Sequence, residues 1–214
     1  WLCEDLYFNI AVISAKTGKT EKAKKYLKKE YDYYKSQTAL YHLLQLRIET
    51  NDVKDDEYLY SAKNILTRDF QNIVAASYEK LMNRREARLY VLRTLLIDNG
   101  ARCIGALFSL NIDEDEKNIE YIQADCIVVL ESSSESLNIA IHSKEVLDGL
   151  SPNNFADCYH YAVGDKEIST LMYHGIGDMV EFNGTSYKII DIKSSPTYFA
   201  SYALRQIISK NEGI

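Results

Sequence analysis

The sequence has few residues that interrupt regular structure, and their distribution differs between its two halves. Only two prolines occur in 214 residues, Pro152 and Pro196, and both lie in the second half. Residues 1–99 contain no proline and a single glycine, Gly18, so little there would break a helix. Residues 111–214 hold six of the nine glycines and several runs of β-branched residues, which are typical of strands and turns. The sequence therefore predicts a helical first half and a β-rich second half.

The chain also lacks long apolar runs. No stretch approaches the roughly 18 consecutive apolar residues of a membrane helix, and no signal peptide opens the sequence. Apolar residues make up 46% of the chain and charged residues 26%, a composition that excludes intrinsic disorder. Because the sequence begins at Trp1, close to a helical pattern, we expect it to be a fragment of a longer protein. We predict no membrane association.

Cysteines are few and are not arranged in C-x-x-C pairs. We expect idle or buried thiols in a reducing cytoplasm, with a disulfide framework or a zinc site as the alternatives. The four lie far apart in sequence, at Cys3, Cys103, Cys126 and Cys158. We therefore predict a cytoplasmic protein.

Charge is divided unevenly along the chain. Residues 1–110 carry 18 Lys and Arg against 14 Asp and Glu, whereas residues 111–214 carry 7 against 17. This asymmetry indicates two units with different electrostatic surfaces. The acidic half would repel a phosphate backbone, so nucleic-acid binding is disfavoured there.

The first half is organised as pairs of helices. In the first pair, Tyr7, Ala11, Gly18, Ala23 and Leu27 place a glycine after one helix and a small residue inside the next. Thr20 is predicted to cap the second helix, and the first helix has an apolar pattern at helical spacing. That pattern consists of Leu6, Ile10, Ile13 and Ser14. Further pairs are predicted from residue 38 and over residues 70–96, the latter broken at Asn83.

These features resemble the tetratricopeptide repeat, in which small residues allow paired helices to approach closely. The resemblance covers about half the chain, and its motif is degenerate. It implies an α-helical repeat array over residues 1–110, of the kind that presents a concave surface to protein segments.

The second half reads as two hairpins. Residues 125–131 form an apolar run, residues 132–136 a serine-rich turn, and residues 137–142 an alternating strand. Near the end, strands on either side of Asn183 and Gly184 carry the strongest hairpin signal of the chain.

A last helix is predicted over residues 198–209, with an apolar stripe that packs back on the protein. Its members are Phe199, Tyr202, Ala203 and Ile207.

The end of the second half resembles the C-terminal domain of the bacterial transcript-cleavage factors GreA and GreB. The resemblance lies in the order of its parts, which are Gly177 and Asp178, a strand, a turn and an isoleucine-rich strand. The resemblance covers residues 122–193 and implies a small antiparallel, FKBP-like β domain that docks on RNA polymerase. The predicted fold class is therefore α+β, and residues 194–214 form a C-terminal helix. Where that family has a Ser-Pro this chain has Gly164 and Asp165, and residues 143–161 make a longer connection than the family needs.

No catalytic, cofactor or metal site is predicted. The acidic run at residues 113–116 has no long heptad helices beside it, so we interpret it as a solvated linker rather than a transcript-cleaving tip. Cys158 and His160 could supply two zinc ligands, but no further pair lies near them in sequence. His42, His142 and His174 are interpreted as packed or loop residues.

The predicted function is a non-catalytic protein-interaction module of a larger bacterial protein. RNA polymerase is the leading partner, and the order of domains resembles proteins in which a PIN-type ribonuclease precedes the repeats. The alternative is an RNA-binding helical array whose acidic β domain dimerises or regulates. The candidate partner-binding residues are Gly177, Asp178, Lys22, Lys25, Lys29, Arg84, Arg85 and Arg88.

Overall fold

A computed structural model describes residues 6–97, 119–151 and 155–211 of the chain. It divides into two compact units, unit 1 (Trp1–Ala87) and unit 2 (Arg88–Ile214). Several predictions fall outside the described residues: the boundary near residue 110, the acidic run at 113–116, and the environments of Cys3, Cys103 and Pro152. The same holds for the side chains of Ala203 and Ile207. Among the described residues, no helix combines the length and the apolar character needed to cross a membrane.

The first half is helical, as predicted. Its helices form pairs joined by tight turns, with the predicted break between the last two falling at residues 81–83. They are α1 (Leu6–Lys16), α2 (Thr20–Tyr34), α3 (Gln37–Glu49), α4 (Glu57–Lys63), α5 (Arg68–Lys80) and α6 (Arg84–Ile97). The division between the two units lies inside α6. The assignment of these pairs to the tetratricopeptide repeat stays a prediction.

The turn between α1 and α2 depends on Gly18. Its φ of +73° is favourable only for glycine, and it allows the Lys19 N–H to donate to the Ser14 carbonyl at 2.8 Å. Thr20, predicted as the cap of α2, is instead its first residue, and the capping position is Lys19. The cap prediction is wrong because α2 begins at Thr20 itself, and α2 has no side-chain cap, since a lysine side chain cannot accept from the helix N–H groups.

The buried face of α1 differs from the predicted one. Ala11 and Ser14 are buried, whereas Leu6 and Ile13 are more than half exposed. Ala23 of α2 is also fully buried, and α1 packs directly against α2. Small side chains therefore form the contact between the two helices, and the larger apolar residues of α1 lie outside it.

A buried ion pair joins α3 to the start of α4. Both guanidinium nitrogens of Arg47, Nη1 and Nη2, donate to the carboxylate of Asp56, at 3.0 and 2.8 Å, and only 1% of the arginine side chain is exposed. Asp56 also caps α4 by accepting from the backbone N–H groups of Tyr58 and Leu59. Burial alone would raise the pKa of Asp56, but its bonds to Arg47 and to these N–H groups lower it overall.

Unit 2 contains a five-stranded sheet in the order β3-β2-β1-β5-β4. Both predicted hairpins are present, and the β4–β5 turn falls at Asn183 and Gly184. The strands are β1 (Cys126–Glu131), β2 (Ser136–His142), β3 (Cys158–Ala162), β4 (Met179–Phe182) and β5 (Thr185–Ser194). With helices in the first half and this sheet in the second, the predicted α+β class is confirmed.

One strand pair is parallel, so the prediction of a wholly antiparallel β domain is wrong at this edge of the sheet. β3 pairs in parallel with β2, and the connection between them includes the short helix α7 (Lys144–Leu147). The segment predicted as a long connection therefore supplies an edge strand. Parallel neighbours require such a crossover, which hydrophobic periodicity in a five-residue strand does not reveal.

Buried apolar side chains from four strands and the loops between them form the core of unit 2. In β5 the buried residues are Tyr187 and Ile189, then Ile192 and Ser194, because the register with β1 shifts between Val129 and Leu130. The core comprises Ile122, Cys126, Val128, Leu130, Ile139, Ile141, Ile168, Leu171, Val180, Phe182, Tyr187, Ile189 and Ile192.

Two further elements of unit 2 are fixed by polar contacts. The buried guanidinium of Arg93, in α6, donates to the backbone carbonyls of Glu145, Val146 and Asp148 around α7. The C-terminal helix α8 (Ser195–Asn211) starts where the Ser195 N–H donates to the Asp125 carbonyl at 2.9 Å. Its Phe199 is fully buried, as the apolar stripe predicted.

Candidate functional site

The predicted partner residues Gly177 and Asp178 form the turn that leads into β4. The Asp178 carboxylate accepts from the Gly175 N–H at 2.9 Å, which closes the turn. The Gly177 N–H donates to the Ile189 carbonyl at 2.8 Å, and the Ile189 N–H donates to the Asp178 carbonyl at 2.9 Å. Both residues therefore shape the turn, and Asp178 is engaged within it.

Exposed apolar side chains surround this turn. Tyr173, Ile176 and Met179 follow one another along it, and Tyr121 is bridged to it through Gly175. Each of these four side chains is more than half exposed. We call them the apolar patch. Sequence analysis singled out the adjoining Gly177 and Asp178 but not the patch, because an apolar residue in a loop has no periodicity that separates buried from exposed.

Gly177 adopts a backbone conformation that other residues tolerate poorly. Its φ is +96°, and an added Cβ would meet no atom within 4 Å, so the cost of a side chain comes from the backbone alone. We expect Gly177→Ala to destabilise unit 2 by about 1–2 kcal/mol, measured by urea denaturation. Ser186→Ala, at an exposed position of β5, is the control. An unchanged midpoint for Gly177→Ala would contradict the left-handed turn.

The predicted basic residues of α2 lie among tyrosine rings. The ammonium group of Lys22 lies 6.0 Å from the ring centroid of Tyr26, and that of Lys29 lies 5.6 Å from the same ring. Lys29 also lies 5.5 Å from the ring centroid of Tyr7 in α1. Lys25 is exposed on the same helix. The three lysines thus share one helix, as predicted.

The predicted arginines all lie in the first two turns of α6, but they differ in exposure. Arg84 and Arg85 are exposed in the first turn of α6, within unit 1. Arg88 is partly buried and belongs to unit 2. Arg84 and Arg85 are therefore the more accessible of the three predicted arginines.

Two histidines that sequence analysis considered separately are in direct contact. His142 ends β2, His160 lies in β3, and the parallel pairing brings their ring centroids to 5.2 Å, with the two rings nearly coplanar at an interplanar angle of 4°. His142 Nε2 and His160 Nδ1 are 2.9 Å apart, and His160 Nε2 lies 2.9 Å from the Phe155 carbonyl. Phe199 of α8 stacks against both imidazoles. We call this the histidine pair.

The hydrogen bonds assign the protons of the histidine pair. A carbonyl only accepts, so His160 Nε2 carries a proton and its Nδ1 accepts from His142 Nε2. His142 Nδ1 is then an unprotonated nitrogen, buried and with no hydrogen-bond partner in the described structure. Burial, together with the neighbouring His160, lowers the pKa of His142 to about 3, and burial lowers that of His160 as well. Both rings are therefore neutral at pH 7.

The zinc alternative raised for Cys158 and His160 finds no ligand set in the described part of the chain. There, no group of three or more His, Cys, Asp or Glu side chains is placed to hold a metal ion. The Cys158 thiol donates to the Ala156 carbonyl, and burial raises its pKa to about 11. Burial likewise raises the pKa of Cys126 to about 11. Both thiols are thus protonated at neutral pH.

Comparison with known proteins identifies no family. No family model matches the chain, and no curated protein matches it significantly. Among solved structures, it is similar to the GreA factor homolog 1 protein of Thermus thermophilus, with 17% sequence identity. That match covers 72% of this chain and 94% of the other, with a TM-score of 0.27. A TM-score this low does not establish a shared fold.

Proposed function

We propose that the chain is a non-catalytic binding module whose β domain docks on another protein through the apolar patch. The observation that supports this is the exposure of four large apolar side chains around one rigid turn, at Tyr121, Tyr173, Ile176 and Met179. Grouped exposed apolar side chains mark protein interaction surfaces. Tyrosine and methionine are also enriched in the cores of such interfaces.

RNA polymerase is the partner that we propose for this surface. The proposal rests on the sequence resemblance of residues 122–193 to the GreA and GreB C-terminal domain, centred on Gly177, Asp178 and the final hairpin. The same resemblance extends the proposal to a role in which the module directs a PIN-type ribonuclease domain of a larger protein. The rigid turn favours docking, because a preorganised surface loses little conformational freedom on binding.

The test is direct binding of purified bacterial RNA polymerase to the immobilised chain, measured by biolayer interferometry. We expect Ile176→Asp and Met179→Asp each to weaken binding at least about tenfold, since a charge placed in an apolar contact leaves a desolvated carboxylate unpaired. Tyr159→Asp is the matched control, an exposed aromatic on β3 at the opposite edge of the sheet.

Two results would contradict the proposal. The first is a parent chain that does not bind polymerase at micromolar concentration. The second is equal binding by the parent, Ile176→Asp and Met179→Asp. Asp178→Lys is unsuitable as a test, because the Asp178 carboxylate holds the turn together through the Gly175 N–H.

A further inference from the structure

One face of α2 carries an alternating series of cationic and aromatic side chains. Lys22, Tyr26, Lys29 and Tyr33 follow one another at spacings of four, three and four residues. Residues three and four apart lie on the same face of a helix. We call this series, together with Tyr7 of α1, the Lys–Tyr ladder.

The members of the Lys–Tyr ladder lie close to one another along its length. Tyr26 lies between the ammonium groups of Lys22 and Lys29, at 6.0 and 5.6 Å from its ring centroid. Lys29 also faces Tyr7, whose ring stacks on that of Tyr33 at 5.9 Å and an interplanar angle of 26°. Tyr33 is 71% exposed, so the end of the ladder presents an aromatic ring to solvent.

The lysines of the ladder differ from other lysines of the same helix in how their charge is balanced. Lys24 is buried and forms ion pairs with Glu21 at 2.7 Å and Asp52 at 3.0 Å. Lys22 and Lys29 form no ion pair with any residue in the described ranges. Their positive charge is therefore available to a ligand.

A basic groove adjoins the ladder at Lys29. It is a cavity of about 400 Å³ between α2 and residues 47–54. Its lining comprises Glu21, Lys24, Lys25, Lys28, Lys29, Arg47, Asp52 and Lys54. Glu21 and Asp52 pair with Lys24 and Lys54, and Arg47 pairs with Asp56, so Lys25, Lys28 and Lys29 give the groove its net positive charge.

We propose that the Lys–Tyr ladder and the adjoining groove bind single-stranded nucleic acid. The lysines contact phosphates, and the exposed ring of Tyr33 provides a stacking surface for a base. Binding of single strands without sequence preference uses this combination of a cationic track and aromatic side chains. An acidic peptide would use the lysines but has no ring to stack on Tyr33, and a duplex keeps its bases inside the helix.

Fluorescence anisotropy with a labelled twelve-nucleotide uridine RNA and the matching thymidine DNA tests the proposal. We expect the intact chain to bind with a dissociation constant in the range of about 10⁻⁶–10⁻⁴ M at low salt, weakening as salt rises. The relative affinities of the two strands identify which nucleic acid is preferred. A poly-glutamate peptide and a duplex of equal length serve as competitors.

Variants separate the two kinds of contact. Lys22→Gln/Lys29→Gln should weaken binding about tenfold and reduce the slope of log affinity against log salt by about 1.4, or 0.7 for each charge removed. Tyr33→Ala should weaken binding about fivefold or more at every salt concentration, and Tyr33→Phe should retain it. Lys63→Gln/Lys80→Gln, which changes unit 1 by the same charge, is the control. Far-UV circular dichroism verifies that each variant is folded.

Three results would overturn the proposal: no binding of either strand at low salt, equal affinity for poly-glutamate or duplex, and wild-type binding by Tyr33→Ala. The last two would indicate general charge attraction. This test is independent of the proposed polymerase contact, since Ile176→Asp in unit 2 should bind RNA like the parent.

Discussion

Replacing Asp56 by alanine is expected to lower the free energy of unfolding of unit 1 by about 4 kcal/mol. The change leaves the guanidinium of Arg47 buried without its carboxylate, which costs about 3–5 kcal/mol in comparable cases. It also removes the cap of α4, worth about 1 kcal/mol. Urea denaturation followed by far-UV circular dichroism measures the loss, and hydrogen exchange of α3 and α4 localises it.

A second background separates the buried charge from the cap. In Arg47→Met the orphaned charge is absent, so adding Asp56→Ala should then cost only about 1 kcal/mol. Asp69→Ala removes an exposed ion pair with Arg68 and should change stability by less than about 0.5 kcal/mol. An equal loss from Asp56→Ala in both backgrounds would contradict the interpretation, because the cost would not depend on Arg47.

Unit 2 is expected to lose stability steeply as pH falls from 6.5 towards 3, because the histidine pair is buried in its neutral form. Burial, with His160 beside it, lowers the pKa of His142 to about 3 in the folded chain, whereas an unfolded histidine titrates near 6.5. Below pH 6.5 the unfolded chain therefore binds a proton that the folded chain does not. The loss is at most about 1.4 kcal/mol per pH unit for His142, or about 2 kcal/mol between pH 6.5 and 5.

Hydrogen exchange measures this loss of stability within unit 2. The exchange rates of β2, β3 and α8 are compared between pH 7 and pH 5 after correction for the intrinsic rate. The pair is enclosed by Phe155 and Phe199, and the lowered pKa of His160 adds to the loss. Substituting both histidines by phenylalanine should flatten the pH dependence over this range. His42→Asn, in unit 1, should leave it unchanged. A parent whose unit 2 is equally protected at pH 7 and pH 5 would contradict the buried neutral pair.

Local patterns predicted most of the elements. Helix periodicity and the lack of glycine and proline located α1 to α6, and the alternation around Asn183 and Gly184 located β4 and β5. These signals lie within a few residues of one another, so they act before any tertiary contact forms. The buried face of α1 was predicted only in part: Ser14 is buried as predicted, but Leu6 and Ile13 are exposed and Ala11 is buried in their place.

The histidine pair, the buried ion pair and the Lys–Tyr ladder depend on tertiary contacts, which sequence patterns do not predict. His142 and His160 meet only because β3 pairs in parallel with β2, and that pairing was not predicted. Arg47 and Asp56 were not singled out, since an arginine in a helix is usually exposed. The candidates Lys22 and Lys29 were identified from sequence as a basic face, but the contact of Lys29 with Tyr7 required the packing of α1 on α2.

The central position of β1 has a consequence for how the chain folds. β1 pairs with β2 across a short turn, but its other neighbour is β5, which follows roughly sixty residues later. During synthesis, helix pairs such as α1 and α2 can form as soon as they emerge, whereas the sheet waits for its final strand. Until β5 arrives, one edge of the apolar strand β1 stays unpaired. We therefore expect the closure of this long loop to be the slow step of folding, with an unpaired strand edge exposed to aggregation during that interval.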